Sequence, residues 1–273
     1  MLVQAQERSV VLSLGRNLVM PSGLMSIPVV SFLPQAGFVN PRYGGRKPAT
    51  KIEWTAQQVT AEELACVLAI PNAFINDAGY PIWEQVRPIV AGAIADALDQ
   101  AVVFGTGAPA GFPVGGIKAL AGAAQSGATA LEAIDAAAAS IEATGGTPDG
   151  IAAGSAIGTA LRAAYRDIMA PPSEAPAPSI YGWPVVTMRH WDDTAGDALV
   201  GDWEMLLVGV REDITFDLSE DAILQDNTGA IIANAFQEDL TAMRCYMRVG
   251  VAIGQPLGVS GPEAPFEFAD WTA

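Results

Sequence analysis

Apolar residues recur at spacings of three and four across Ile82, Val86, Ile89, Val90, Ala93, Ile94, Ala97, Leu98, Ala101 and Val102. That period predicts one long amphipathic helix over residues 81–104. Asp77 is the candidate N-cap, Pro81 falls near the first turn where its missing N–H costs little, and Gly105 with Gly107 ends the run. Pro88 lies inside, so the helix is expected to start late or to bend there. Residues 26–33 (SIPVVSFL) and 52–59 (IEWTAQQV) have strand character, with Pro28 marking an edge. Between them lie residues 34–51 (PQAGFVNPRYGGRKPATK), which hold Arg42, Arg46, Lys47 and Lys51 and no acid. A connection of that length is uncommon in a compact domain unless it is functional or bound to something; a solvated loop is the equal alternative. Residues 61–70 (AEELACVLAI) fit a helix or a strand. Residues 1–19 read as an arm whose apolar side chains must lie on something.

In the second half, residues 130–143 and 155–170 are alanine-rich and predicted helical. Residues 181–188, 198–208 and 214–218 read as strands, and 219–234 as an acidic loop with a turn at 227–229. Residues 242–252 (AMRCYMRVGVA) alternate and read as a long strand; residues 262–273 show no pattern. Helices and strands mix without a βαβ period, which predicts an α+β architecture.

Composition adds one sharp feature. Hydrophobic residues make up 51% of the 273, enough for one large domain or two intimate ones. No apolar run is long enough to span a bilayer, and no signal-peptide pattern opens the chain. The formal net charge is −16. Residues 1–118 hold 8 basic and 8 acidic side chains, so the whole excess sits in the remaining residues. An acidic protein of this kind is unsuited to ordinary nucleic-acid binding. The asymmetry suggests head-to-tail contact between copies.

Catalytic chemistry finds little support. His190 is the only histidine, and no Gly-x-Ser-x-Gly elbow supplies a nucleophile for it; a surface histidine is the simpler reading. Cys66 and Cys245 are far apart in sequence and fit no metal or redox spacing, which predicts a cytosolic chain without a disulfide. The glycines at 105, 107 and 111 follow a helix rather than a strand, and Lys118 is displaced from a phosphate-loop position; both stretches read as turns. The many carboxylates read as acidic surface. No cofactor and no metal site is expected.

Four segments, in this order, resemble the HK97-fold major capsid proteins of tailed double-stranded DNA bacteriophages. They are KIEWTAQQVTAEELACVLAIPNAFINDA; IWEQVRPIVAGAIADALDQAVVFGTG with GFPVGGI; YGWPVVTM followed by LVGDWEMLLVGVREDITFDLSEDA; and AFQEDLTAMRCYMRVGVAIGQPLGV. Each is weak alone; the order and spacing of all four, over about residues 10–259, carry the likeness. The resemblance implies an α+β HK97-like fold with an N-terminal arm (1–20), first peripheral (P) domain strands with an extended E-loop (21–60), and a P domain with a long spine helix (61–119). An axial (A) domain (120–211), P-domain return strands with a loop (212–259) and a C-terminal tail (260–273) complete it.

The resemblance implies a structural, non-enzymatic protein that self-assembles into pentamers and hexamers of an icosahedral shell around packaged double-stranded DNA, without sequence-specific binding and without a membrane. It implies a virion component assembled in the host cytoplasm, with a portal, a separate scaffolding protein and a decoration protein as candidate partners. An encapsulin-like nanocompartment is the alternative within the fold, and an acid-dependent hydrolase the alternative outside it. On this reading Arg42, Arg46, Lys47 and Lys51 of the E-loop dock onto acids of a neighbour, with Glu212, Asp213, Asp217, Glu220 and Asp221 as candidate acceptors. Pro88 becomes a candidate bend in the spine helix.

Overall fold

The computed structural model describes residues 8–30, 38, 54–79, 81–160, 179–226, 228–255, 257–258, 261–262 and 264–271. The arm begins with a short helix α1 (Val10–Leu14), capped by Ser9, and continues as β1 (Arg16–Val19). β2 (Leu24–Val30) and β3 (Trp54–Thr60) pair antiparallel, Leu24 opposite Thr60 and Val30 opposite Trp54. The two predicted strands therefore form the root of the intervening segment. Its four cations, Arg42, Arg46, Lys47 and Lys51, lie outside the described residues.

The ambiguous stretch 61–70 is a strand, β4 (Glu62–Pro71), followed by a one-and-a-half-turn helix α2 (Asn72–Asp77). Long-range pairing settles what periodicity left open: β4 runs antiparallel to residues 240–249, Glu62 opposite Val249 and Pro71 opposite Leu240. The long helix α3 (Ile82–Asp99) then passes directly into a π-helical turn, Gln100–Phe104, closed by Gly105 at φ 70. Asp77 is not its N-cap, because Asp77 is the last residue of α2 and the chain is extended at Ala78. Pro81 takes the cap position without a side-chain bond, and the helix does not start late: Pro88 sits within it. A short helix α4 (Gly116–Leu120) and a two-residue strand β5 (Gln125–Ser126) lead to α5 (Ala130–Ala143). The bounds of α5 match the expectation, and a capping box explains its start. Thr129 Oγ accepts from the Glu132 N–H, and Glu132 reaches back to the Ala128 N–H.

The remaining strands are β6 (Gly150–Ala153), β7 (Ser179–Ile180), β8 (Trp183–Thr187), β9 (Ala198–Gly201), β10 (Leu206–Ser219), β11 (Ile223–Gln225), β12 (Ile231–Asn234), β13 (Leu240–Ile253), β14 (Leu257–Gly258), β15 (Gly261–Pro262) and β16 (Phe266–Asp270). Residues 157–160 are helical; the rest of the second alanine-rich stretch lies outside the described residues. Three sequence expectations change here. Residues 198–208 belong to two strands in two sheets, broken by a 3-10 turn at Trp203–Met205. The acidic loop 219–234 is a hairpin, β11 against β12. The patternless end contains β16, whose Phe266 and Phe268 are buried.

The strands form a four-stranded sheet, order β1-β10-β13-β4, and a six-stranded sheet, order β5-β16-β9-β6-β8-β7. Gly209 and Gly250 face each other in the first sheet. A Cβ on Gly250 would stand 2.6 Å from the Thr60 carbonyl oxygen, and one on Gly209 would meet Met20 at 2.5 Å. The glycines thus open a window through which the chain around Met20 and Val59 lies against the sheet.

The main core gathers Val90, Ile94 and Leu98 of α3, Met243, Cys245 and Met247 of β13, and Leu199, Phe266 and Phe268 of the second sheet. A second core joins Ile134, Ala137 and Ile141 of α5 to Ile151, Ala153, Ala198 and Val200 on the opposite face of that sheet. The period of two along β9 and β16 therefore feeds two cores, and the six-stranded sheet is wedged between α5 and the end of α3.

Candidate assembly site

β10 and β13 place the acidic residues. From Glu212 onward β10 leaves its tight pairing through two irregularities, between Val210 and Glu212 and between Glu212 and Thr215. Such bulges re-aim side chains. Glu212 then stands opposite Arg248, with 3.5 Å between Oε1 and Nη1, and Asp217 opposite Arg244, with 2.7 Å between Oδ2 and Nη2. Arg244 also lies over the Tyr246 ring at 5.1 Å. Asp213 Oδ1 accepts from the Ile214 N–H at 2.6 Å. Three of the five candidate acceptors are thus engaged inside the chain.

The other two are placed differently. Glu220 and Asp221 are exposed and line a cleft of about 660 Å³ at the end of β10. Asn72, Ile75 and Asn76 of α2, Trp83 of α3 and Thr241 of β13 complete its wall. The Thr241 hydroxyl donates to Asn72 Oδ1 at 2.6 Å and fixes the strand against the helix. Two carboxylates in a cleft that also holds an indole suit a cationic side chain.

Beyond the cleft, the hairpin leaves apolar surface uncovered: Ile223 is 56% exposed, Ile231 63%, Ile232 66%, and Phe236 in the turn after β12 76%. Its turn is pinned by Asp226, whose carboxylate accepts from the Thr228 N–H, the Thr228 hydroxyl and the Ala230 N–H. Those bonds hold its carboxyl below the usual range.

The arm is anchored by an acid within the long apolar period. Asp99, 1% exposed at the end of α3, accepts from the Ser9 hydroxyl at 2.6 Å and from the Val10 and Val11 N–H groups at 2.9 and 3.1 Å. Ser9 in turn accepts from the Leu12 N–H. Burial pushes the Asp99 carboxyl up to about 6 against the pull of these bonds, and neighbouring Asp96 adds to the rise. The available signal was a carboxylate on the face that Ala95, Leu98 and Val102 mark as buried.

One turn earlier, Asp96 reaches toward Arg189 (3.8 Å) and His190 (3.7 Å) of the loop after β8. The single histidine is a half-exposed neighbour of a carboxylate, as a surface reading implied. Lys118 closes on Asp192 at 2.7 Å, and with Thr194 it holds that carboxyl at about 2. The glycine-rich turns before Lys118 thus lead into an ion pair that ties α4 to the loop after β8. Trp191 meets Phe104 edge-on at 5.3 Å and Phe268 at 6.3 Å. The end of α3 is therefore gripped by the arm and by the second sheet's loop. Among the described residues no group of three or more His, Cys, Asp or Glu side chains is arranged to hold a metal, and no helix is long and apolar enough to cross a membrane.

Residues 2–260 match the phage capsid family, and the chain belongs to that family. The major capsid protein of Staphylococcus phage 80alpha is 24% identical over 225 residues, which span 77% of this chain and 66% of that protein's own length. A solved structure from Mycobacterium phage Adephagia is 25% identical with a TM-score of 0.78, over 96% of this chain and 89% of that one. Another, from Microbacterium phage Oxtober96, is 27% identical with a TM-score of 0.75 over 96% and 90%. The fold is α+β and HK97-like. Family membership makes the chain a structural component of the virion shell.

Proposed function

We propose that this protein is the self-assembling unit of an icosahedral phage shell, forming pentamers and hexamers around packaged double-stranded DNA. The observation that carries this reading is the apolar hairpin: four large hydrophobic side chains, each more than half exposed, lie on one two-stranded element and the turn that follows it. A patch of that kind marks a contact surface. The six-stranded unit corresponds to the axial domain, the four-stranded sheet with α3 to the peripheral domain, and β2 with β3 to the root of the E-loop. The E-loop cations Arg42, Arg46, Lys47 and Lys51 dock on a neighbour. Glu220 and Asp221 in the cleft are the acceptors best placed for them, since Glu212 and Asp217 already hold Arg248 and Arg244. Pro88 gives α3 a place to flex as the shell expands. Assembly takes place in the host cytoplasm with portal and scaffolding proteins, with a decoration protein added to the finished shell. The acidic surface keeps the lining from gripping the genome.

Purified protein examined by electron microscopy and sedimentation is expected to form megadalton icosahedral particles; a stable monomer or dimer under all conditions refutes the reading. Ile232→Glu with Phe236→Glu is expected to abolish particles while leaving the subunit's melting temperature nearly unchanged, because both positions are exposed.

A further inference from the structure

The chain has two cysteines, and the fold makes them neighbours. Cys66 of β4 and Cys245 of β13 are direct cross-strand partners in the antiparallel register. Both lie on the face of the sheet that carries α3: Cys245 is fully buried in the cluster that also holds Met243, Met247 and Leu98, and Cys66, partly exposed, packs on the same cluster. Facing residues on antiparallel strands stand about 4.5–5.5 Å apart at Cα, inside the range of about 4.4–6.8 Å that a disulfide spans. The partner strand also gives the pair a purpose. Among the described residues β4 is the edge of its sheet, paired only with β13, and it runs from the β2–β3 root to α2 and α3. An edge strand is the one that can peel away.

We propose that Cys66 and Cys245 are a redox staple: reduced when the chain folds, and joined into a cross-strand disulfide on exposure to a small-molecule disulfide. The Cys66 thiolate attacks one sulfur of that disulfide, breaking its S–S bond and releasing one thiolate. The Cys245 thiol loses its proton to solvent and attacks Cys66 Sγ, forming the internal bond and releasing the second thiolate. Two protein thiols are oxidised, one external disulfide is reduced to two thiols, and the two protons end on the released thiols. Cys66 is the entry point because it is the accessible one. Burial, and secondarily Cys66 itself, pushes the Cys245 thiol up to about 11, so the second step is slow. The bond closes a loop covering most of the chain, the case in which a crosslink constrains the unfolded state most. A phage shell is made in a reducing cytoplasm and released into an oxidising medium; this timing rests on the capsid reading, whereas the bond itself does not.

The test uses the full-length protein, as particles and as free subunit, incubated with oxidised glutathione, then unfolded and alkylated. The expected product has lost the mass of two hydrogens, carries no alkyl group or glutathione, migrates faster on a non-reducing gel and melts at a higher temperature. Dithiothreitol reverses every change. Cys245→Ala is expected to stop at a glutathione adduct on Cys66, and Cys66→Ala to show no reaction. Two alkylated thiols, or a lasting adduct on Cys66 with Cys245 free in the wild type, overturn the proposal. So does a bond that forms without raising the melting temperature. The same result in free subunit and particle leaves the chemistry independent of whether shells form.

Discussion

The two sheets solve the burial problem in opposite ways. The four-stranded sheet is built on two 14-residue strands, β10 and β13. Along the outer part of β13, core side chains such as Met243, Cys245 and Met247 alternate with Arg244, Tyr246 and Arg248, so one face packs on α3 and the other carries charge. The six-stranded sheet uses strands of two to five residues, and its central pair, β6 and β9, is buried at every position. Its faces are claimed by α5 on one side and by the α3 core on the other. The first sheet is a long lever with a wet face and an exposed hairpin at its end; the second is a closed layer. A subunit that must contact several copies needs both, a stiff body and an extended surface of alternating charge and apolar residues.

The sharpest way to break this contrast is at the shared core. Phe268→Ala removes a ring that stands against Phe104 and Trp191. It is expected to cost about 3–5 kcal/mol in chemical denaturation; a loss under about 1 kcal/mol means the two layers are energetically separate. The arm anchor comes next. The Asp99 carboxyl is raised from 3.8 to about 6, so the folded chain binds that proton more tightly than the unfolded one. Its contribution is full below about pH 4 and is lost as pH rises through about 6, on the order of 2–3 kcal/mol across the window. The stability difference between wild type and Asp99→Asn should trace this titration from pH 4 to 8. A flat difference removes the titrating anchor.

Smaller effects test the cleft and the wet face. Glu220→Lys with Asp221→Lys is expected to leave folding within about 0.5 kcal/mol, since both are exposed. It should weaken assembly in a salt-dependent way, read by light scattering. Assembly unchanged in low salt sinks the docking of the basic loop there. Arg244→Ala is expected to leave the denaturation midpoint nearly unchanged, because both partners of its pair with Asp217 are at least half solvent-exposed.

Sequence and structure agree most closely where local chemistry decides the structure. α5 was legible to the residue because Thr129 and Glu132 form its cap within four positions. The long apolar period over 82–104 was legible too, although its last turn is π-helical. The cleft was half legible: Glu220 and Asp221 stood out as acids, but Asn72, Trp83 and Thr241 meet them only through folding. β16 was missed because a five-residue strand shows too few alternations to stand above chance. The strand at 62–71 stayed ambiguous for a related reason, since its partner lies far along the chain.

By itself the sequence determined the helix over most of its length, the basic segment without acids, the acidic second half and, through the order of four segments, the shell-protein family. Side-chain periodicity and charge are properties of neighbouring residues, and they survive without a fold. Tertiary structure alone decided that Asp99 receives the arm, that Glu212 and Asp217 are already paired, that the last strand returns to the second sheet and that the two cysteines face each other. Each of those depends on sheet register or helix docking between residues tens to hundreds of positions apart. Such registers are set by which face of a strand the core accepts, and that choice is made only when the whole chain closes.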